Sequence, residues 1–153
     1  MHNIIISDTS CLIVLSKINE LGILKILYNE ISITKEISEE FALELPNWIK
    51  IKEVKDKKFQ HLLETQLDKG ESSAIALAME TENPLIIIDE NKARQFAKKL
   101  DLRITGTLGI LIYAKNKGVI KDIEPIITKL LATDFRISKK LVDLMLELNI
   151  DLM

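Results

Sequence analysis

The stretch PLIIIDENKARQFAKKLDLRITGTLGIL, residues 84–111, decides how the chain is read. Its first apolar run, LIII, is short, continuous and β-branched, the pattern of a strand buried on both faces. The run stops on two acids, Asp89 and Glu90. A basic helical segment follows over 91–100, then a short strand LRI, then Gly-Thr-Leu-Gly opening another helix. A strand, helix, strand and helix in that order specify a parallel crossover, which is right-handed in nearly every known case. The acids fall where the strand hands over to its helix. They either cap that helix or form part of a charged site.

The same grammar runs through the rest of the chain. NIIIS (3–7) is a buried-looking strand, and Asp8-Thr9-Ser10 supplies N-cap residues for a helix carrying Leu12, Leu15 and Ile18 at helical spacing. INELGILKILYNE reads as a second short helix and ISI (31–33) as a second strand. Thr34 is positioned to cap a helix reaching about Leu45, stopped before Pro46. IKIKEV (49–54) alternates apolar and polar residues, as a strand nearer a sheet edge does. A Lys-rich segment is read as helical through Leu62 and Leu63; Gly70 then punctuates the chain before the small-residue helix ESSAIALAME. Further helices are expected at about 107–117, ending at Gly118 in the C′ position, and at 122–132 and 138–148. The fold expected is α/β: a three-layer domain with a mainly parallel sheet of about five short strands, covered by helices on both faces. With no repeat or flexible linker, residues 1–153 are expected to form one domain, the C-terminal helices from about 122 to 148 packed onto it.

Composition narrows the function classes. The 153 residues are 47% hydrophobic and 29% charged, an ordinary globular balance. The 21 basic and 23 acidic residues leave a net charge of −2, so the chain does not hold nucleic acid by bulk charge. Any such binding needs a local basic patch or bound cations. The single cysteine, Cys11, excludes an intramolecular disulfide, and neither His2 nor His61 has zinc-ligand spacing to it. The opening MHNIIISDTS has no basic region ahead of a long apolar run, and no segment approaches the ~20 apolar residues of a membrane span. A cytoplasmic location and no membrane partner are expected.

Position makes the acids informative. Asp8 directly follows the first strand and Asp89 follows LIII. In an open parallel sheet, ligands bind at the carboxyl ends of strands, where helix N-termini converge. Glu71 lies on the apolar stripe of its helix, with Ala74, Ile75 and Ala78 at i+3, i+4 and i+7. A carboxylate there is costly unless something compensates it. On the helix TKEISEEFALEL, helical phase leaves Glu40 and Glu44 both open. Converging carboxylates repel, and a hard divalent cation relieves them economically; Mg²⁺ or Mn²⁺ suits such oxygen donors.

Together these residues resemble the PIN-domain ribonuclease family. IIISDTSCLIVLSKI is similar to its opening block, and ISITKEISEEF, LDKGESSAIALA and LIIIDENKARQFAKKLDLRITGTLGILIYAKNKGVI to the next three, in order. The Gly-Glu-Ser-Ser-Ala and Gly-Thr-Leu-Gly forms look most like a prokaryotic branch of unknown function related to VapC-type toxins. The resemblance covers nearly the whole chain and places the family's acids on Asp8, Glu40, Glu71 and Asp89, with Glu36, Glu39 and Glu44 as rivals to Glu40. Two departures stand out: Glu71 occupies a position often held by Asp, and Glu90 directly follows Asp89, so it is a second candidate for the contact.

What the resemblance implies is metal-dependent hydrolysis of RNA phosphodiester bonds. Asp8, Glu71 and Asp89 would hold Mg²⁺ or Mn²⁺, with Glu40 completing the catalytic set. Thr9, Ser10 and Thr107 would support it, and Lys92 and Arg94, with Lys98 and Lys99 nearby, would supply phosphate contacts. It further implies an RNA substrate, a small antitoxin protein over the acidic site, and a homodimer. A receiver domain needs an acid pair after the first strand, a HAD-type phosphatase needs Asp-x-Asp there, and a dinucleotide binder needs G-x-G-x-x-G. This chain has Asp8-Thr9-Ser10 and five dispersed glycines. The remaining rival is a PIN-like module that binds RNA or a partner protein without cutting.

Overall fold

In the computed structural model, residues 4–135 and 142–143 are described. Five strands form one sheet in the order β3-β2-β1-β4-β5, every pair parallel. They are β1 (Ile4–Ser7), β2 (Ile31–Thr34), β3 (Ile49–Lys52), β4 (Pro84–Ile87) and β5 (Arg103–Thr105). The helices are α1 (Thr9–Lys17), α2 (Gly22–Tyr28), α3 (Lys35–Phe41), α4 (Lys57–Leu63), α5 (Lys69–Met79), α6 (Asn91–Lys99), α7 (Thr107–Asn116) and α8 (Glu124–Leu131). This is the α/β architecture expected. The helix expected at 138–148 lies outside the described residues, save for 142 and 143.

The central strands are apolar on both faces because helices cover both. Ile6, Ile31, Ile33, Ile86 and Ile87 are fully buried. The alternating strand lies at the edge as its pattern requires: in β3 only Ile49 is buried. Helix α5 is the most enclosed, with every residue from Ser72 to Ala78 buried, and its alanines allow close approach to β1, β2 and β4.

Two boundaries differ from the expected ones. Helix α3 stops at Phe41, not near Leu45, because Ala42 turns left-handed (φ 55°) once the last buried residue of the stripe has been placed. Glu44 is therefore beyond the helix. Gly70 does not interrupt the chain; it lies inside the first turn of α5, and Asp68 is the cap. Gly118 does take the C′ position after α7, with φ 78°.

The topology positions the site. The strand order reverses direction between β1 and β4, the switch point where parallel sheets leave a crevice. These two strands pair in register from Ile4↔Pro84 to Ser7↔Ile87, so they end at the same level. Asp8 N donates to Ile87 O at 2.9 Å, and Ile88 N to Thr105 O at 2.8 Å. Residues 8, 89 and 107 are thereby gathered at one edge.

Candidate functional site

Asp8 is buried at this edge, with 3% of its surface exposed. As N-cap of α1 its Oδ1 accepts from Cys11 N at 2.9 Å, while Oδ2 accepts from Asp89 N at 2.9 Å. Asp89 in turn accepts at Oδ1 from Thr107 N (2.7 Å) and at Oδ2 from Thr107 Oγ1 (2.6 Å). Each acid thus ties one crossover to the next, and charge-assisted bonds of this kind are worth ~1.5–3 kcal/mol each. Gly106 precedes α7 without a side-chain cap of its own; a Cβ there would stand 2.9 Å from Asp89 Oδ1 and 3.0 Å from Arg94 Nη1. Asp89 is thus both a capping residue, serving α7, and one wall of the crevice.

Glu71 and Asp68 form a capping box on α5: Glu71 N donates to Asp68 Oδ1 at 2.7 Å, and Asp68 N to Glu71 Oε1 at 3.3 Å. Glu40 enters from α3. Its Oε2 accepts from Thr9 Oγ1 at 3.0 Å, and it lies so close to Gly70 that a Cβ on that residue would collide with its carboxylate. The rival acids of that segment are elsewhere: Glu36 pairs with Gln60 (2.5 Å) and Lys57 (3.7 Å), while Glu39 and Glu44 are exposed.

A cleft of about 360 Å³ is lined by Asp8, Thr9, Ser10, Glu40, Asp68 and Glu71, with Lys17 and residues 133–135 on its rim. A second cleft of about 740 Å³ is lined by Asp89, Glu90, Arg94 and the turn from Thr105 to Gly109. Ser10, Asp134 and Phe135 line both. Arg94 Nη1 donates to Ile88 O at 2.7 Å, fixing the guanidinium beside Asp89. Glu90 caps α6 through Ala93 N (2.7 Å). Lys92, Lys98 and Lys99 are exposed and line neither cleft.

The electrostatics are strained. Burial, the neighbouring Asp89 and then Glu71 push the Asp8 carboxyl from 3.8 up to about 7, against the lowering effect of its two backbone donors. Burial, Asp68 and Glu90 raise Glu71 to about 7. Burial, Asp89 and Asp8 also raise the Cys11 thiol behind the site, which makes it a packing group and not a nucleophile. Among the described residues no group of three or more His, Cys, Asp or Glu is arranged to hold an ion unaided. Asp8, Asp89, Glu40 and Glu71 are hard oxygen donors, the donor type of a cation that takes one or two carboxylates and completes its shell with water and substrate phosphate.

Several residues escaped the sequence reading. Asp68 was legible as Asp-x-x-Glu, the capping-box spacing. Lys17 continues the stripe Ser10, Ile13, Val14 at i+3, i+4 and i+7 and also lines the first cleft. Asp134 and Phe135 had no local signal, since their place depends on how α8 returns across the molecule.

A parallel sheet with carboxylates gathered from four crossovers at its switch point defines an α/β protein with an acidic strand-end site. A family model described as PIN domain matches residues 4–149, and the chain belongs to that family. PIN domains are generally nucleases, and the chain carries that fold. No curated protein and no solved structure matches the chain significantly. Among the described residues no helix is long and apolar enough to cross a membrane.

Proposed function

We propose that this protein is a metal-dependent endoribonuclease, the toxin of a toxin–antitoxin pair, acting in the cytoplasm. The observation that carries the reading is the meeting of Asp8 and Asp89 at the switch point, Asp89 N donating to Asp8 Oδ2, with Glu40 and Glu71 lining the adjoining cleft; burial first, then Asp89 and Glu71, raises the Asp8 carboxyl to about 7. Asp8 and Asp89 would hold Mg²⁺ or Mn²⁺ directly, with Glu71 holding water of its shell. When bound, such an ion lowers the pKa of water and stabilises charge on the transferring phosphate.

The chain's own groups supply the rest. Glu40, fixed through Oε2 by the Thr9 hydroxyl, keeps Oε1 to accept a proton from the attacking water. Thr107 holds both oxygens of Asp89 and so sets the orientation of that carboxylate. Arg94, with one nitrogen committed to Ile88 O, offers its remaining N–H groups to a phosphate without reading sequence. Water oxygen forms the new bond to phosphorus as the bond to the 3′ oxygen breaks; that oxygen takes up a proton from solvent, and Glu40 returns to solvent the proton it received. An antitoxin covering the acidic cleft, and pairing with a second copy, belong to the same reading.

The test is cleavage of labelled RNA with Mn²⁺ or Mg²⁺ beside chelator, using Asp89→Asn as the control. Asparagine accepts from Thr107 N through its oxygen and donates to Thr107 Oγ1 through its amide, so charge is lost and geometry kept. Ion-dependent cutting lost in Asp89→Asn supports the proposal. A wild type inert on RNA and DNA, with ion present, refutes it.

A further inference from the structure

The two clefts share a wall, and among the described residues that wall carries the one aromatic side chain lining either of them, Phe135. Its backbone is tethered by a turn: Phe135 N donates to Thr133 Oγ1 at 3.1 Å, and Thr133 Oγ1 donates to Leu130 O at 2.6 Å. Phe135 is partly buried against the core and lines both clefts. The cationic groups are distributed on either side of it. Lys17 lines the first cleft together with Asp8, Glu40 and Glu71, and Arg94 the second together with Asp89 and Glu90. Lys17 lies seven residues along α1 from Ser10, about 10 Å by helical rise, so the two serve different nucleotides.

Resting on the nuclease reading, we propose that the two clefts form one track for an unpaired RNA strand. Phe135 stacks a base beside the scissile phosphate, and Lys17 holds a phosphate on the side opposite Arg94. An aromatic platform with flanking cations is how proteins hold single strands without sequence preference. It also explains how a chain of net charge −2 holds a polyanion: each cleft carries a cation beside its acids.

The experiment measures binding of a labelled, unstructured oligoribonucleotide to a Glu71→Gln parent by fluorescence anisotropy, with Mg²⁺ present. Phe135→Leu keeps an apolar side chain but loses the stacking face, and binding is expected to weaken at least about five-fold. Phe135→Trp is expected to retain affinity and to show emission quenched by RNA, measured against the parent's single Trp48. Lys17→Gln is expected to flatten the slope of log affinity against log salt by about 0.7. Replacing uridines by non-planar dihydrouridine is expected to erase the difference between the parent and its Phe135→Leu variant, which a merely structural role of the ring would not do. If wild type cuts RNA and the parent binds it, yet Phe135→Leu and Lys17→Gln bind as the parent does and the emission of Phe135→Trp is unchanged by RNA, the track is overturned and the nuclease reading stands. If neither binding nor cutting occurs, the nuclease reading falls and takes the track with it.

Discussion

Gly70→Ala is expected to separate activity from stability. Glycine inside a helix ordinarily costs about 0.8–1 kcal/mol relative to alanine, so the exchange alone favours the fold. Here the new methyl would collide with Glu40 Oε1 and stand 2.9 Å from its Cδ, closer than packing permits. Glu40 is exposed and attached through a flexible side chain, so it can swing away. The movement breaks its bond from Thr9, a loss of about 0.5–1.5 kcal/mol. These opposing terms nearly cancel, and the melting temperature should move by no more than about 4 °C in either direction. Cleavage should nonetheless fall toward the level of Glu40→Gln, about 10²-fold if Glu40 receives a proton in the reaction. In a Glu40→Ala background the collision is gone, and Gly70→Ala should then be plainly stabilising. The assays are thermal melts and RNA cleavage on wild type, Gly70→Ala, Glu40→Ala and their double variant, with Glu40→Gln as the cleavage reference. A Gly70→Ala protein as active as wild type, or one destabilised by more than about 10 °C, would show that Glu40 does not act from this position.

Three further outcomes are expected. Asp89→Asn should melt near wild type while losing activity, whereas Asp8→Asn should lose about 1–3 kcal/mol, because both Asp8 oxygens accept from backbone N–H groups and an amide can satisfy only one; denaturant melts compare them. Without divalent ions, stability should fall as pH rises from about 4 to 7. Folded Asp8 keeps its proton up to about 7 and the unfolded chain releases it near 3.8, so the loss reaches about 4 kcal/mol, and Mg²⁺ or Mn²⁺ should restore melting temperature more at pH 8 than at pH 5. Thr107→Val, which keeps shape and removes one bond to Asp89, should cost about 1.5–3 kcal/mol in melts and lower turnover more than substrate affinity in steady-state kinetics.

Much of this site is written locally. Asp8 and Asp89 are legible because a buried strand that ends on an acid has a two-residue signature, and register then places both at one level. Thr34 as a cap and β3 as an edge strand follow from equally local patterns. The end of α3 was not legible, because Leu45 continues the apolar spacing and only the turn at Ala42 removes it from the helix. Gly70 read as a break because its sequence cannot show that Glu40, thirty positions earlier, presses against it. Choosing among Glu36, Glu39, Glu40 and Glu44 likewise needed the partners of each, Gln60 and Lys57 for Glu36 and Thr9 for Glu40. Phe135 and Asp134 reach the clefts through long-range packing, which no periodicity records.

That these crowded carboxylates hold a divalent cation is the central claim, and calorimetric titration of Mn²⁺ into wild type and Asp89→Asn at pH 8 tests it most directly. Saturable binding to wild type is predicted, released by chelator and abolished or strongly weakened in Asp89→Asn, a protein of unchanged melting temperature. Equal binding by both proteins, or none by either, would contradict it.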